Sequence, residues 1–326
     1  MRALVYTGPE QLEYGDAPDP VPASGEVLVR VESAGICGSD MHAFLGHDER
    51  RPAPLILGHE VAGMSESGRV TINPLVSCGT CRACIAGQDN LCPSRQIISM
   101  PPREGGFAEW LTIPAANAVA VPDHVSPDQA ALAEPIGCGW HAARVAREQP
   151  AGRGAGVRAL VIGGGAIGLG GALSLRAQGI PDILLVEPNP ERRRYIETRC
   201  GLAVSAPDSL PPDYAPDVVV DGVGIAATRA QASAVVRPGG VIVHIGLGSA
   251  EGGLDVRRMT LQEITFIGTY TYTAQDFIDT AGAMFDGRLG ALDWIEPRPL
   301  EDGARAFEDI RAGRVAAPKI ILKPDA

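Results

Sequence analysis

A short apolar, β-branched run at 158–162 passes directly into Gly163-Gly164-Gly165-Ala166-Ile167-Gly168 and then into a helix-forming stretch that reaches Gln178. Few folds can use glycines in that order. Gly163 permits a tight turn, Gly165 lets a pyrophosphate approach the backbone, and Gly168 allows close helix–strand packing. Together with Ala166 and Ile167 these positions present free N–H groups and the positive end of a helix dipole to phosphates. A second strand, 183–186, ends at Glu187, nineteen residues after Gly168, where an acidic side chain accepts hydrogen bonds from a ribose and selects NAD. Arg192, Arg193 and Arg194 raise NADP as the alternative; they read instead as a solvated helix face, because Glu187 repels a 2′-phosphate. Strand 218–221, helix 226–236, strand 241–245 and strand 263–268 continue the alternation. That pattern predicts an α/β fold, a doubly wound parallel sheet with helices on both faces.

With 326 residues the chain is too long for this unit alone and fits two domains. The net charge of −11 argues against nucleic acid or an anionic membrane as partner. The longest uncharged run, 159–175, is short for a membrane span and broken by the glycines already accounted for. Residues 1–6 reach Thr7-Gly8-Pro9 too soon for a signal-peptide core. Seven cysteines, four of them bunched, fit a reducing compartment and a metal site, so a cytoplasmic location is expected. Lys319 and Lys323 are the only lysines, which reads as coding bias.

The first third has the texture of a small β domain rich in Gly and Pro, with strands expected at 2–6, 27–33, 69–72 and 107–113. Within it, Cys78-Gly-Thr-Cys81-Arg-Ala-Cys84 and then Cys92 bunch four thiols in a segment poor in apolar residues. This spacing predicts a closed, tetrahedral Cys₄ zinc site stapling a lobe at about 76–95 that cannot pack its own core. A redox CxxC pair needs two cysteines, not four.

A second set is looser. Gly35–His42 carries Cys37, Ser39, Asp40 and His42, and Gly58-His59-Glu60 follows. Thiolate, imidazole and carboxylate suit zinc, and a catalytic site leaves one position open. A structural Cys and a core His would look the same. Glu134, at the end of an apolar helical run over 127–133, is costly as a carboxylate unless paired or bound to metal, and would complete the set.

Thr273-Ala-Gln-Asp276 resembles a capping box opening a helix to about Asp286. A helix at 300–312 and a strand at 319–322 follow. The final strand, lacking any nucleotide motif, most simply rejoins the first domain. The cofactor domain is then inserted, with the active site in the cleft between the two. Cys138 and Cys200 read as buried small hydrophobes.

In this order the motifs resemble the zinc-dependent medium-chain alcohol dehydrogenases over essentially the whole chain. The polyol (sorbitol) and threonine dehydrogenase branch is similar in having Glu134-Pro135 where others carry a second Cys. The resemblance implies a GroES-like catalytic domain, 1–137 and 271–326, and a Rossmann NAD-binding domain, 138–270. It implies two zincs per chain, one structural and one catalytic. Catalytic zinc would be held by Cys37, His59 and Glu134 or Glu60, the two glutamates trading places. Asp40 would orient His59, and Ser39 would pass the substrate's proton toward His42. The backbone near Val223, Ile245 and Leu247 would line the nicotinamide site. The implied function is hydride transfer between a secondary alcohol or polyol and NAD, by a homodimer or homotetramer, with the edge strand 263–268 as a candidate pairing edge. An NADP-linked aldehyde or ketone reductase and a non-catalytic nucleotide-binding protein are the alternatives.

Two departures stand out. The stretch between Glu60 and Asn73 is about ten residues shorter than in such relatives. Thr271, in Tyr270-Thr271-Tyr272, replaces an Arg, which puts direct carry-over of polyol recognition in doubt; either tyrosine faces substrate or simply packs.

Overall fold

The computed structural model describes residues 1–324. The first unit comprises Met1–Glu134, Thr273–Asp286 and the chain from Ile295; the second comprises Pro135–Tyr272 and Gly287–Trp294.

From the N-terminus, β1 (Arg2–Gly8) and β2 (Gln11–Asp16) form a hairpin, followed by β3 (Glu26–Gly35), α1 (Gly38–Phe44), β4 (Leu55–Ile56), β5 (Glu60–Ser65) and β6 (Gly68–Ile72). The cysteine lobe holds β7 (Leu75–Val76), α2 (Arg82–Ile85) and β8 (Gln96–Ile97), after which come β9 (Trp110–Pro114), β10 (Ala118–Ala120) and α3 (Pro127–Ala130). Helix α4 (Ala133–Glu148) leads into β11 (Arg158–Ile162), α5 (Ala166–Ala177), β12 (Asp182–Val186), α6 (Pro190–Cys200), β13 (Ala203–Ser205), β14 (Val218–Asp221), α7 (Ala226–Val235), β15 (Val241–His244), α8 (Val256–Leu261) and β16 (Thr265–Gly268). The chain then returns through α9 (Ala274–Phe285), β17 (Ile295–Pro299), α10 (Gly303–Arg311) and β18 (Lys319–Lys323).

The main sheet of the first unit runs β10-β6-β5-β3-β18-β17, with β9 also on β3. Strand β18 does rejoin this domain: Ile321 lies opposite Gly35 and Leu322 opposite Ala34. On β3's other side Gly35 faces Glu60. One residue of β3 is therefore flanked by the first residue of β5 and by the last strand of the fold. Phe307 of α10 meets Phe44, the last residue of α1, at 5.2 Å and meets Phe107, which abuts Gly58 ahead of β5, edge-on at 6.0 Å between ring centroids. The three rings are buried.

In the second unit the strand order is β13-β12-β11-β14-β15-β16, all parallel. Order reverses between β11 and β14, so the crevice at their carboxyl ends is the switch point at which ligands bind in open α/β sheets. The core is apolar, from Leu160, Ile162, Val186, Val219, Ile242 and their neighbours.

Several boundaries differ from expectation. Residues 287–294, expected with the catalytic domain, belong to the second unit, held there by Arg199–Asp293 at 3.1 Å and by the Tyr195 hydroxyl, which donates to the Asp293 carbonyl at 3.4 Å. Glu134 does not end a helix: α3 stops at Ala130, and Glu134 stands in the first turn of α4, where the helix dipole favours a carboxylate. Strand β9 starts at Trp110, three residues later than expected. Strand β16 starts at Thr265 because Glu263 has φ 50° and breaks the extended run.

Because this buried aromatic cluster ties α10 to the end of α1 and to the turn at Gly58, Phe307→Ala should remove about 3–5 kcal/mol of stability, read by chemical denaturation of the purified chain.

Candidate active site

Cys37, His59 and Glu60 offer three ligand atoms that lie within 4.8 Å of one another. Their convergence is built by Asp40. This fully buried carboxylate accepts the Cys37 amide at 2.9 Å through Oδ2 and the Gly58 amide at 3.3 Å through Oδ1, tying the two loops together. The same Oδ1 is 3.4 Å from Nδ1 of His59. Burial pushes the Asp40 carboxyl up, yet His59, Arg51 and the Cys37 amide outweigh it and hold it below the usual value. For His59 burial favours the neutral ring, but Asp40 and Cys37 raise it well above the usual imidazole value.

Glu60 is wedged in place. Its Oε1 accepts from the Lys319 ammonium at 2.6 Å, both side chains being buried. Its Oε2 is buried with no hydrogen-bond partner. Across the strand pair a Cβ on Gly35 would stand 2.0 Å from that oxygen, so only glycine leaves room for the carboxylate. Lys319 also donates to the Ile36 carbonyl at 2.7 Å. Burial pulls the Lys319 ammonium down, but the charges of Glu60, Cys37 and Glu134 raise it above its ordinary value. A lysine raised in this way keeps its stabilising effect at neutral and acid pH and loses it only on the alkaline side.

Of the sequence-derived candidates, the structure thus gathers Cys37, His59 and Glu60, with Asp40 behind them. Ser39 Oγ lies 3.5 Å from Nε2 of His59. His42 is half-exposed farther along α1. Glu134 is buried and close enough to act on Lys319, but it stands outside the three-donor group. An orphaned carboxylate oxygen beside a thiol and an imidazole is costly to bury alone and fits a divalent cation.

The Cys78, Cys81, Cys84 and Cys92 sulfurs also converge, with Sγ separations of 3.5 Å for Cys81–Cys84 and 4.0 Å for Cys78–Cys84. Backbone amides of Thr80 and Cys81 aim at Cys78 and lower its thiol to about 6. Such thiolate-stabilising amides suit a closed metal site. Burial and neighbouring thiols push Cys84 up to about 11. Asp89 of this lobe accepts the Ala274 amide at the start of α9, anchoring the lobe to its own unit.

In the second unit Gly163 takes φ 102°, and α5 opens at Gly165 with no side chain capping its free amides. Uncapped amides at a helix N-terminus make the kind of cradle that receives anions. Ala166, Ile167 and Gly168 form its first turn. Glu187 is buried and accepts the Gly164 amide at 2.8 Å and the Asn189 amide at 2.8 Å, so the acid and the glycine turn are locked to each other. Each carboxylate oxygen retains acceptor capacity. Arg193 spends its guanidinium on the Glu187 and Pro188 carbonyls, while Arg192 stays half-buried. Val223 and Ile245 are half-buried beyond β14 and β15, and Leu247 is exposed.

Four residues escaped the sequence reading. Lys319 reads as coding bias, although a lysine kept amid so many arginines is itself a signal. Ser99, at φ 68°, brings Oγ within 3.5 Å of Nδ1 of His59, and buried Arg51 holds the Ser99 carbonyl at 3.0 Å. Asp221 accepts the Val223 and Gly224 amides and the Thr228 hydroxyl, shaping the turn after β14. Nothing local in the sequence marks the last three. Tyr272 is a packing aromatic, buried against Gly137. Cys138 and Cys200 are buried, as expected.

Residues 23–123 match the alcohol dehydrogenase GroES-like domain and residues 166–286 match the zinc-binding dehydrogenase domain. The chain is 30% identical to L-galactonate-5-dehydrogenase of Escherichia coli (strain K12), over 94% of each. It belongs to the zinc-binding dehydrogenases. Sorbitol dehydrogenase of Bacillus subtilis (strain 168) is 31% identical over 83% of this chain and 82% of its own. Among solved structures, an alcohol dehydrogenase (rspB) of E. coli CFT073, described as short chain and complexed with NADH, superposes with a TM-score of 0.88 at 25% identity, covering 99% of both chains. The protein is therefore an oxidoreductase with a GroES-like domain and a Rossmann-like cofactor domain, of the medium-chain alcohol and polyol dehydrogenase type. No helix among the described residues is long and apolar enough to cross a membrane.

Removing one partner of a buried ion pair strands the other charge. In metal-free protein, Lys319→Met should cost about 3–5 kcal/mol, and adding Glu60→Gln should restore most of it. Denaturation curves in chelator, run on both variants, check this.

Proposed function

We propose that this dehydrogenase oxidises a secondary hydroxyl of a small polyol with NAD as hydride acceptor. The observation that carries the reading is the Cys37–His59–Glu60 donor set, with its orphaned Glu60 oxygen and the Ser39 hydroxyl beside it. Cys37, His59 and Glu60 would hold the catalytic zinc and the four clustered cysteines the structural one. Glu134, whose charge acts on Lys319, would be the carboxylate that takes Glu60's place. When bound, zinc supplies a Lewis acid for the substrate oxygen and NAD accepts the hydride.

The chain's own residues do the rest. Asp40 faces Nδ1 of His59, which fixes the tautomer and leaves Nε2 as the nitrogen that would ligate a metal. Ser39 takes the hydroxyl proton as the C–H bond gives up its hydride, and half-exposed His42, farther along the same helix, passes the proton to solvent. Glu187 receives the ribose hydroxyls and repels a 2′-phosphate, favouring NAD over NADP, while Arg193 is already engaged with main-chain carbonyls. The galactonate and sorbitol enzymes it resembles bear names of polyhydroxylated substrates, which supports a polyol. Seven free thiols suit a reducing cytoplasm, and the edge strand β16 is the place for subunits to pair in a homodimer or homotetramer.

Metal analysis should find two zincs per chain, one for each donor group, with NAD⁺ reduction on a panel of polyols and secondary alcohols tracking the more labile one. Ser39→Ala should keep both metals and lower kcat about 10²- to 10⁴-fold. Two zincs with no turnover across the panel would point to a non-catalytic protein.

A further inference from the structure

The segment after β15, residues 245–255, has no regular structure, yet its hydrogen bonds are nearly all accounted for. On one side its amides lean on the turn after β14: Ile245 and Gly246 donate to the Asp221 carbonyl, Gly248 to Val223 and Ser249 to Gly224. On the other side its carbonyls converge on a single buried side chain, Arg229, in the first turn of α7.

Arg229 donates through Nε to the Gly252 carbonyl at 2.7 Å, and through Nη1 to the Gly224 and Ser249 carbonyls, both at 2.9 Å. Through Nη2 it donates to the Ser249 hydroxyl at 3.1 Å and to the Glu251 carbonyl. Five guanidinium N–H groups thus meet five oxygens, none of them a carboxylate. A planar fork can do this; a lysine ammonium, with three donors on one atom, cannot.

The clamped loop stands where a ligand must pass. Its support, the turn after β14, abuts the phosphate cradle: a Cβ on Gly163 would lie 2.5 Å from Val223, and one on Gly222 would lie 2.9 Å from the Gly168 amide. The loop is also on the β14–β15 side of the switch point, whereas Glu187 directly follows β12 on the other side. A dinucleotide spanning that point puts its adenosine ribose at Glu187 and its other half against the loop.

We propose that Arg229 is a positioning residue for the cofactor: it freezes the 245–253 loop in the shape that receives the non-adenosine half of the dinucleotide. This rests on the dinucleotide reading above. Freezing the loop before binding removes an ordering cost that NAD would otherwise meet at every encounter. Because Arg229 is buried and its hydrogen bonds end on the loop and on the turn that supports it, its effect is confined to one end of the ligand.

The test is calorimetric titration of NADH and, separately, of AMP into the zinc-loaded full chain and its Arg229→Lys and Arg229→Met variants. Hydrogen exchange of amides 246–253 is followed in parallel. NADH binding should weaken about tenfold in Arg229→Met and less in Arg229→Lys, with AMP affinity unchanged and exchange faster in this loop alone. Unchanged NADH affinity in Arg229→Met overturns the proposal. Equal losses for NADH and AMP, in the lysine variant as well, show general collapse of the unit and overturn it too. If the unaltered chain binds neither probe, the dinucleotide reading falls and the proposal with it.

Discussion

The buried pair of Lys319 and Glu60 is the contact on which the first unit's chemistry depends. Two charges at 2.6 Å out of water have a high desolvation cost, repaid only when geometry and further hydrogen bonds are good. Here they are supplied by the Ile36 carbonyl, by the glycine at position 35 that leaves room for the second carboxylate oxygen, and by strand pairing that sets β18 and β5 on either side of β3. The pair holds one Glu60 oxygen away and leaves the other unmatched beside Cys37 and His59. The fold stores an unfavourable group where a cation can relieve it.

Both units solve a common problem alike. Irregular loops must be held to fractions of an ångström, and apolar packing alone does not hold a loop. Each unit therefore buries a charged side chain whose hydrogen bonds end on main-chain atoms. Asp40 gathers the Cys37 and Gly58 amides; Asp221 gathers those of Val223 and Gly224; Glu187 takes the Gly164 and Asn189 amides. Arg229 does the converse with carbonyls. Charged groups make the stronger hydrogen bonds, and one side chain can bind two or more peptide units at once.

Features set by neighbours in sequence were legible. The strand–glycine–helix run and the closely spaced cysteines each carry their geometry within a few residues, so the α/β class and the Cys₄ cluster could be read directly. What depends on register was hidden. Whether Glu60 or Glu134 joins Cys37 turns on Gly35 facing Glu60, and the partner of Glu60 comes from the far end of the chain. Lys319 and Lys323 read as coding bias; both are engaged in ion pairs, with Glu60 and Asp128. Ser99 reaches His59 from a loop whose left-handed backbone no pattern announces. The place of segment 287–294 is hidden because its anchor, Asp293, finds Arg199 and Tyr195 by tertiary contact.

The separation of Lys319 from Glu60, 259 residues, also orders events in time. On a ribosome the cysteine loop, the imidazole and the carboxylate emerge early, and the residues of the inserted unit follow and can fold as a block. The lysine arrives last. Until then Glu60 has water for a partner and β3 lacks its neighbour β18, so a cation captured early meets a site of different charge and looser shape. The completed three-donor pocket is thus a property of the finished chain, and a polypeptide that stops short of its final strand carries the donor residues without the site.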